Sequence, residues 1–312
     1  MPANALLRNI LVVFSLLVLP VSNLEAEPPT DILTVVTPQV PPPFDKVFGE
    51  ILAGIQREAP GKVDSIEISR DTTSADIQAS LKSTTGTSVI ALGNQAKKLL
   101  KPLGGKYHIV YGAVFLNPGE EPKAMRGISL TPSPQATFRW LKDLAPNIKT
   151  VHVVYQHDYS GWLIALADQA APHYGLTLAK HAVDNVREAA VAFRNILDSE
   201  DPKSNAIWLM QRDPSLDERA VVPDILAQAW NKDFVVFSSN PAHVPRGALF
   251  ALYPDNEKMG SSLAKLALTP DGHGIVPLSD LLIAVNVRTA SHVGRNFTRR
   301  EEKQFNLIFP NR

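Results

Sequence analysis

The chain has 312 residues, in which 31 Lys and Arg are balanced by 31 Asp and Glu, and it contains no cysteine. The neutral balance and the lack of a basic stripe give no electrostatic basis for nucleic-acid binding. The lack of cysteine excludes disulfides, thiolate metal sites, cysteine nucleophiles and a lipid anchor on an N-terminal cysteine. A chain of this length can bury a substantial core without disulfides and is long enough to form two lobes.

Residues 1–26 predict a cleavable signal peptide. Arg8 precedes the apolar run 10–19, and Pro20 and Asn23 interrupt that run ahead of the small residue Ala26. This order is typical of secretion signals, and the run is too short to span a bilayer comfortably. We therefore predict export, with the periplasm of a Gram-negative bacterium as the natural location, and a protein that is not a lipoprotein. An uncleaved N-terminal anchor is the alternative.

Apolar strand-like runs alternate with helical patterns along the rest of the chain. The predicted strands are residues 32–36, 65–69, 88–93, 108–115, 127–130, 150–155, 176–183, 206–210, 234–238, 247–253 and 281–286. The main predicted helices are residues 44–55, 74–82, 94–100, 134–145, 160–174, 186–197, 216–231 and 255–268, with a short one ending at His292. Pro223 indicates that the helix at 216–231 begins late or is broken.

The regular alternation of strands and helices predicts an α/β fold with parallel sheets and helices on both faces. About eleven strands are many for one open sheet, which favours two sheets. No low-complexity linker separates the two halves of the chain. We therefore predict two doubly wound parallel-sheet lobes that are joined by several strands.

Signatures of catalysis are missing from the sequence. There is no Gly-x-Ser-x-Gly elbow, no His-Glu-x-x-His motif and no Gly-rich dinucleotide fingerprint after the first strand. The eight histidines are scattered and form no set with metal-ligand spacing. We predict a protein that is not an enzyme and that has no cofactor and no metal site.

The loops that follow the predicted strands are the candidate ligand-binding positions, because ligands of doubly wound sheets bind beyond the carboxyl ends of the strands. The candidates are Thr37, Gly93, Asn94, Tyr155, Tyr159, Ser160, Gly161, Trp162, Asp213, Asn240 and Tyr253. Structural alternatives remain open for several of them. Asn94 and Ser160 are residue types that cap helices, and Asp213 precedes a proline and can initiate a turn. The aromatic residues Tyr159 and Trp162 can instead pack in the core or the hinge.

An ordered set of segments in the second half of the chain carries a resemblance to a known family. The segments are FRWLKDLAP at 138–146, VHVVY at 151–155, AAPHYGL at 170–176, AIWLMQRD at 206–213, RGALFALY at 246–253, Met259-Gly260 and IAVNVRTASHVG at 283–294. Together they resemble the ABC-transporter substrate-binding proteins whose better-known members are linked to tryptophan or tyrosine uptake. The resemblance covers residues 31–294, and it rests on the order of the segments rather than on any single motif.

The resemblance implies a type I periplasmic-binding fold, with two lobes, a three-strand hinge and a ligand held between the lobes. Lobe 1 would comprise residues 31–131 and 248–275, and lobe 2 would comprise residues 132–247 and 276–294, followed by a C-terminal tail at 295–312. The crossovers would lie near 130–133, near 241–247 and between 269 and 281. In an amino-acid binder Asp213 would suit the ligand ammonium, while Ser160 and Gly161 at a helix N-terminus would suit its carboxylate.

These features predict the solute-binding component of an ABC-type uptake system. Its partners would be a small molecule, such as an amino acid or aromatic compound, and an ABC permease in the inner membrane, and it would act as a monomer. The alternative is a periplasmic sensor or assembly protein of the same fold that partners a receptor kinase or an outer-membrane system. An exported hydrolase is a third reading. The apolar end of the tail, from Phe305 to Phe309, supports the sensor mildly, although we expect the tail to pack back across the hinge.

Overall fold

The computed structural model describes residues 32–84, 86–269 and 274–310. The predicted signal peptide lies outside these residues. Within them, no helix combines the length and apolar character that a membrane span requires.

The strands are β1 Leu33–Pro38, β2 Val63–Ile68, β3 Ser88–Leu92, β4 His108–Val114, β5 Arg126–Pro132, β6 Thr150–Tyr155, β7 Thr177–Ala182, β8 Asn205–Leu209, β9 Val235–Ser238, β10 Phe250–Pro254, β11 Ile275–Leu278, β12 Leu281–Asn286 and β13 Leu307–Phe309. The helices are α1 Phe44–Glu58, α2 Ser74–Lys82, α3 Gly93–Leu100, α4 Pro134–Leu144, α5 His157–Ala170, α6 Val186–Ser199, α7 Val222–Asn231, α8 Asn256–Leu268, α9 Val287–His292 and α10 Arg299–Glu302.

The first sheet has the strand order β11-β5-β4-β3-β1-β2, and all of its neighbouring strands run parallel. Its inner strands β1, β3 and β4 are largely buried because helices cover both faces, whereas the edge strand β2 is partly exposed. The α1 and α8 helices pack on one face, where Ile51 and Leu263 are completely buried. The α2 and α3 helices pack on the other face through residues such as Ile77 and Leu100. This sheet and its helices are called lobe 1 below.

The second sheet has the order β13-β12-β10-β9-β8-β6-β7 and, with its helices, is called lobe 2 below. The α4 and α5 helices cover one face, over a core that includes Phe138 and Trp208. The α6 and α7 helices cover the other face through residues such as Phe193 and Ile225. The predicted α/β class with two sheets is confirmed. The sheet is not wholly parallel, however, because β12 runs antiparallel to β10.

Several element boundaries differ from the sequence predictions. The α5 helix begins at His157 rather than at residue 160, and a 3-10 turn, Ala171–Tyr174, completes it. The α7 helix begins at Val222, so Pro223 lies in the first turn, where its missing N–H costs nothing. The short strands β11 and β13 were not predicted. Each has a proline within it or directly after it, which hides a strand signal.

The β10 strand corrects the predicted division of the chain. Residues 248–275 were assigned to lobe 1, yet β10 pairs with β9 and β12 in the sheet of lobe 2. Pairing partners far apart in sequence decide which sheet a strand joins, and local pattern does not carry that information. The second crossover therefore lies at Asp255, after β10, and not near residues 241–247. The α8 helix then packs in lobe 1.

The chain passes three times between the lobes, and backbone hydrogen bonds tie these crossovers together. The crossovers lie between β5 and α4, between β10 and α8, and between β11 and β12. The N–H of Ser133 in the first crossover donates to the carbonyl of Leu278 at 2.8 Å. The N–H of Asp255 in the second crossover donates to the carbonyl of Asp280 at 2.9 Å. The third crossover thus lies between the other two and bonds to both.

Two glycines allow α1 and α8 to cross in close contact. A Cβ atom on Gly54 would collide with the backbone carbonyl of Glu257, and one on Gly260 would collide with the carbonyl of Ile51. The hydroxyl of Ser261 also donates to the carbonyl of Gly54 at 3.1 Å. The contact holds α8 in lobe 1, directly after the second crossover.

The C-terminal tail packs within lobe 2. The prediction that it packs back across the hinge is wrong. The β13 strand pairs with β12 and forms the outer strand of the sheet. The ring of Phe305 lies edge-on to Trp140, with 6.4 Å between centroids, and to Phe297, at 5.0 Å. The free edge of β12 and this aromatic contact give the apolar tail a place to bury its side chains.

A histidine pair joins three strands of the lobe 2 sheet. The amide nitrogen of Asn205 donates to the carbonyl of Asp201, so its Oδ1 accepts from Nε2 of His152 at 2.8 Å. Nδ1 of His152 then accepts from Nε2 of His181 at 3.1 Å. Burial, and secondarily the charge on His152, hold the pKa of His181 below its ordinary value. The pair therefore favours the neutral form of His181 in the folded state.

This histidine pair predicts a loss of stability in acid. A lowered pKa in the folded state means that the unfolded chain binds the proton more tightly. The folded state therefore has its full stability above the unfolded pKa of about 6.5, where His181 is neutral in both states, and it loses stability as the pH falls below that value. Urea unfolding should show a smaller free energy at about pH 5 than at about pH 7.5, and His181→Gln should flatten this dependence. His173→Gln, at an exposed position, serves as the control that leaves it unchanged.

Candidate functional site

A cleft of about 350 Å³ lies between the lobes, at the carboxyl ends of both sheets. Lobe 1 lines it with Asn94, Lys97, Phe115, Leu116, Asn117, Glu120 and Thr131. Lobe 2 lines it with Tyr159, Ser160, Trp162, Leu163, Met210, Gln211 and Arg212. Cavities of similar size beside Tyr111 and beside Ile148 are each lined by one lobe only. The interlobe cleft is the place where a doubly wound fold presents strand-end loops to a ligand.

Two contacts span the cleft. The side-chain amide of Asn117 in lobe 1 donates to the backbone carbonyl of Tyr159 in lobe 2 at 3.1 Å. The guanidinium of Arg212 in lobe 2 lies over the ring of Phe115 in lobe 1, with 4.8 Å from its carbon to the ring centroid. Asn117, Phe115 and Arg212 lie in loops that follow strands, and Tyr159 lies in the first turn of α5, so both contacts connect the lobes on the cleft side of the hinge.

Asp213 is a buried structural clamp. Its carboxylate is only 3% exposed and accepts hydrogen bonds from the hydroxyls of Ser160 and Ser215, each at 2.5 Å. It also accepts from the N–H of Gln156 at 3.1 Å and from the N–H of Ser215 at 2.9 Å. The clamp fixes the start of α5 against the loop that follows β8.

Arg212, directly before the clamp, has an unusual backbone conformation. Its φ of 63° lies in the left-handed region, which a non-glycine residue occupies at a cost. The conformation directs neighbouring side chains in different directions, so that Asp213 is buried while Arg212 is exposed to the cleft. Within the described residues, no carboxylate forms an ion pair with Arg212.

A charge cluster lies beside the lobe 1 side of the cleft, which it reaches through Lys97. The carboxylate of Glu121 is 6% exposed and pairs with Nζ of Lys97 at 2.6 Å and with Nζ of Lys101 at 2.9 Å. Burial acts to raise the pKa of this carboxyl, but hydrogen bonds and charge from the two lysines outweigh it and hold the pKa below its ordinary value. Two cations thus share one carboxylate, which leaves an excess of positive charge.

The cleft brings together four of the predicted site residues, namely Asn94, Tyr159, Ser160 and Trp162. Neither Asn94 nor Ser160 occupies an N-cap position, since Leu92 and Gln156 precede their helices there. The capping alternative is therefore wrong for both. Ser160 is largely buried and uses its hydroxyl in the Asp213 clamp.

The other predicted residues lie outside the lining of the cleft. Thr37 and Tyr155 are buried at the ends of β1 and β6. A Cβ atom on Gly93 would contact the ring of Phe48, and one on Gly161 would contact the ring of His157. A further group of three is engaged elsewhere, and it comprises Asp213, Asn240 and Tyr253.

Each member of this group has a structural role. Asp213 forms the clamp described above. Asn240 accepts from the N–H of Ala242 at the start of a 3-10 turn and donates to Glu218 at 3.1 Å. Tyr253 lies in β10, where burial, with a smaller effect of Asp255, raises the pKa of its hydroxyl.

Ten residues of the cleft were not among the predicted site residues. They are Lys97, Phe115, Leu116, Asn117, Glu120, Thr131, Leu163, Met210, Gln211 and Arg212. A simple signal would have found Phe115, Asn117, Gln211 and Arg212, since Phe115 ends a predicted strand and the other three lie within two residues of the end of one. Lys97 lies one turn inside a helix and Glu120 lies far along its loop, so position alone does not mark them. Within residues 32–84, 86–269 and 274–310, no three acidic or histidine side chains converge as metal ligands.

The fold and the cleft define a two-lobed α/β protein with an interlobe site. Comparison with known families agrees, because the family described as ABC transporter substrate binding protein matches residues 107–269, just over half of the chain. The chain belongs to this family. No curated protein matches the sequence.

Solved structures of the same architecture cover most of the chain. The ligand-free, open structure of a substrate-binding protein with adhesive properties from Clostridium difficile is 16% identical, with a TM-score of 0.62, and the match covers 90% of this chain and 100% of that one. An ABC domain in complex with L-Trp from Streptococcus pneumonia is 19% identical, with a TM-score of 0.49, over 89% of this chain and 100% of that one. A periplasmic ribose ABC transporter from Conexibacter woesei is 14% identical, with a TM-score of 0.47, over 88% and 98%. The fold is that of type I periplasmic-binding proteins.

Proposed function

We propose that this chain is the periplasmic solute-binding component of an ABC-type uptake system. It binds a small molecule between the lobes, closes around it and delivers it to a permease in the inner membrane. The observation that carries the proposal is a cleft lined by both lobes at the carboxyl ends of both sheets. Family membership supports the same role.

Closure follows from the contacts across the cleft. Opening the lobes would break the hydrogen bond from Asn117 to Tyr159 and separate Arg212 from Phe115. A ligand that contacts both lobes favours the closed form by its extra contacts there. The permease then recognises the closed form, so the measured affinity includes the free energy of closing.

The sensor or assembly role remains the rival proposal, but the tail no longer favours it. Of the apolar side chains that suggested a free binding end, Phe305 and Phe309 pack on lobe 2, while Leu307 is exposed at the edge of the sheet. The rival is therefore an outcome of the experiment below rather than a second conclusion.

Native mass spectrometry of gently purified protein, before and after unfolding and refolding, tests the proposal. We expect a discrete extra mass that refolding removes. Adding the identified compound back should then raise the melting temperature by a few degrees, because ligand binding stabilises the folded state alone. A protein that carries no passenger and shows no thermal shift with amino acids or aromatic compounds would contradict the transport role and favour the sensor.

A further inference from the structure

The chemical class of the ligand can be narrowed from the charges of the cleft, an inference that rests on the proposed function. An amino-acid ligand needs an acceptor for its ammonium group. Asp213 was the predicted acceptor, but its carboxylate already accepts from Ser160, Ser215 and the N–H of Gln156. It is 3% exposed and lies outside the lining of the cleft.

The remaining carboxylates of this region offer little to an ammonium group. Glu121 is buried and already paired with Lys97 and Lys101. Glu120 lines the cleft, but within the described residues no contact orients its carboxylate, whereas Arg212 rests on the ring of Phe115. A ligand cation would therefore find no oriented carboxylate in the cleft, and it would lie near the positive charges of Lys97 and Arg212.

An anion has a prepared partner in Arg212. This guanidinium lines the cleft, forms no ion pair within the described chain and rests on the ring of Phe115. Its backbone is kept in the left-handed region beside the Asp213 clamp. Arginine binds a planar carboxylate through two parallel N–H donors, which a fixed backbone helps to orient.

The rest of the lining suits an apolar body. Leu116, Leu163 and Met210 are buried beneath the cleft, and Phe115, Tyr159 and Trp162 add aromatic surface. Aromatic side chains favour flat, apolar ligands through stacking and edge contacts. A volume of about 350 Å³ limits the ligand to a small molecule.

We infer that the cleft binds a small aromatic carboxylate, that Arg212 binds its carboxylate group, and that no ammonium group is required. Three matched probes test this by isothermal titration calorimetry on the refolded full chain. They are 3-phenylpropionate, phenylalanine and phenethylamine, which present the same ring with an acid only, with both groups and with an amine only. We expect the acid to bind at least as tightly as the amino acid, and the amine to bind at least about tenfold more weakly.

Arg212→Gln should weaken binding of 3-phenylpropionate at least about tenfold, because it removes the charged guanidinium group and its two parallel N–H donors. Arg139→Gln is the matched control, since Arg139 is also exposed and lies over an aromatic ring, Trp140, but outside the cleft. The inference is overturned if the amine binds as tightly as the acid, if Arg212→Gln leaves the affinity unchanged, or if none of the probes binds. A passenger found by native mass spectrometry would keep the proposed function intact in each of these cases.

Discussion

Gly54→Ala is expected to lower the free energy of unfolding by about 3 kcal/mol, the upper part of the range for overpacked sites. The added methyl group would collide with the backbone carbonyl of Glu257 on α8, and a carbonyl cannot rotate away as a side chain can. The helices α1 and α8 would have to separate, which would loosen their shared core around Ile51 and Leu263. Chemical denaturation monitored by circular dichroism measures the change.

Gly49→Ala provides the control within the same helix. No atom lies within 4 Å of a Cβ at this position, which is exposed. Alanine is a better helix former than glycine by about 1 kcal/mol, so this variant should be as stable as the parent or more stable. If Gly54→Ala and Gly49→Ala behave alike, the two helices do not cross as closely as described.

Asp213→Ala is expected to destabilise the fold by about 2–4 kcal/mol, because it removes the acceptor of several buried donors. The hydroxyls of Ser160 and Ser215 and the N–H of Gln156 would be left without their partner. The loop that carries Arg212 would also lose its fixed position, so affinity for a ligand acid should fall as well. Denaturation and calorimetry of the same variant separate the two effects.

Asp217→Ala is the comparison in the same loop. Asp217 is exposed and accepts only from the N–H groups of Arg219 and Ala220, which water can satisfy after the substitution. We expect a clearly smaller loss of stability than for Asp213→Ala, and unchanged ligand affinity. Equal losses for the two aspartates would contradict the structural role assigned to Asp213.

The sequence predicted most helices and strands well. It did not predict which sheet a strand joins or which way a side chain points. Buried strands such as β3 and β8 are continuous apolar runs, and their helices carry clear apolar stripes, so the two-sheet class was predictable. The sheet that β10 joins depends on pairing with β12, which no local pattern encodes. Asp213 was the predicted ligand residue, but Arg212 lines the cleft and Asp213 is buried. This difference depends on the left-handed backbone of Arg212, and arginine gives no local signal for that conformation.

In the candidate site, too, the local sequence did not predict contacts between distant segments. Position at a strand end selected the first turns of α5, where Tyr159 and Trp162 line the cleft. It could not tell a residue that turns towards the other lobe from one that turns into its own lobe, as Asn240 does. Only the packing of distant segments separates these cases.

The hydrogen bonds between the crossovers have a consequence for how the protein moves. Because Ser133 is bonded to Leu278 and Asp255 to Asp280, the three connecting segments cannot bend independently. Together they form one hydrogen-bonded hinge that bends about one axis. Under the proposed function, closing around a ligand would then be a rotation about one axis, and the spacing of the two lobes would change in only one way.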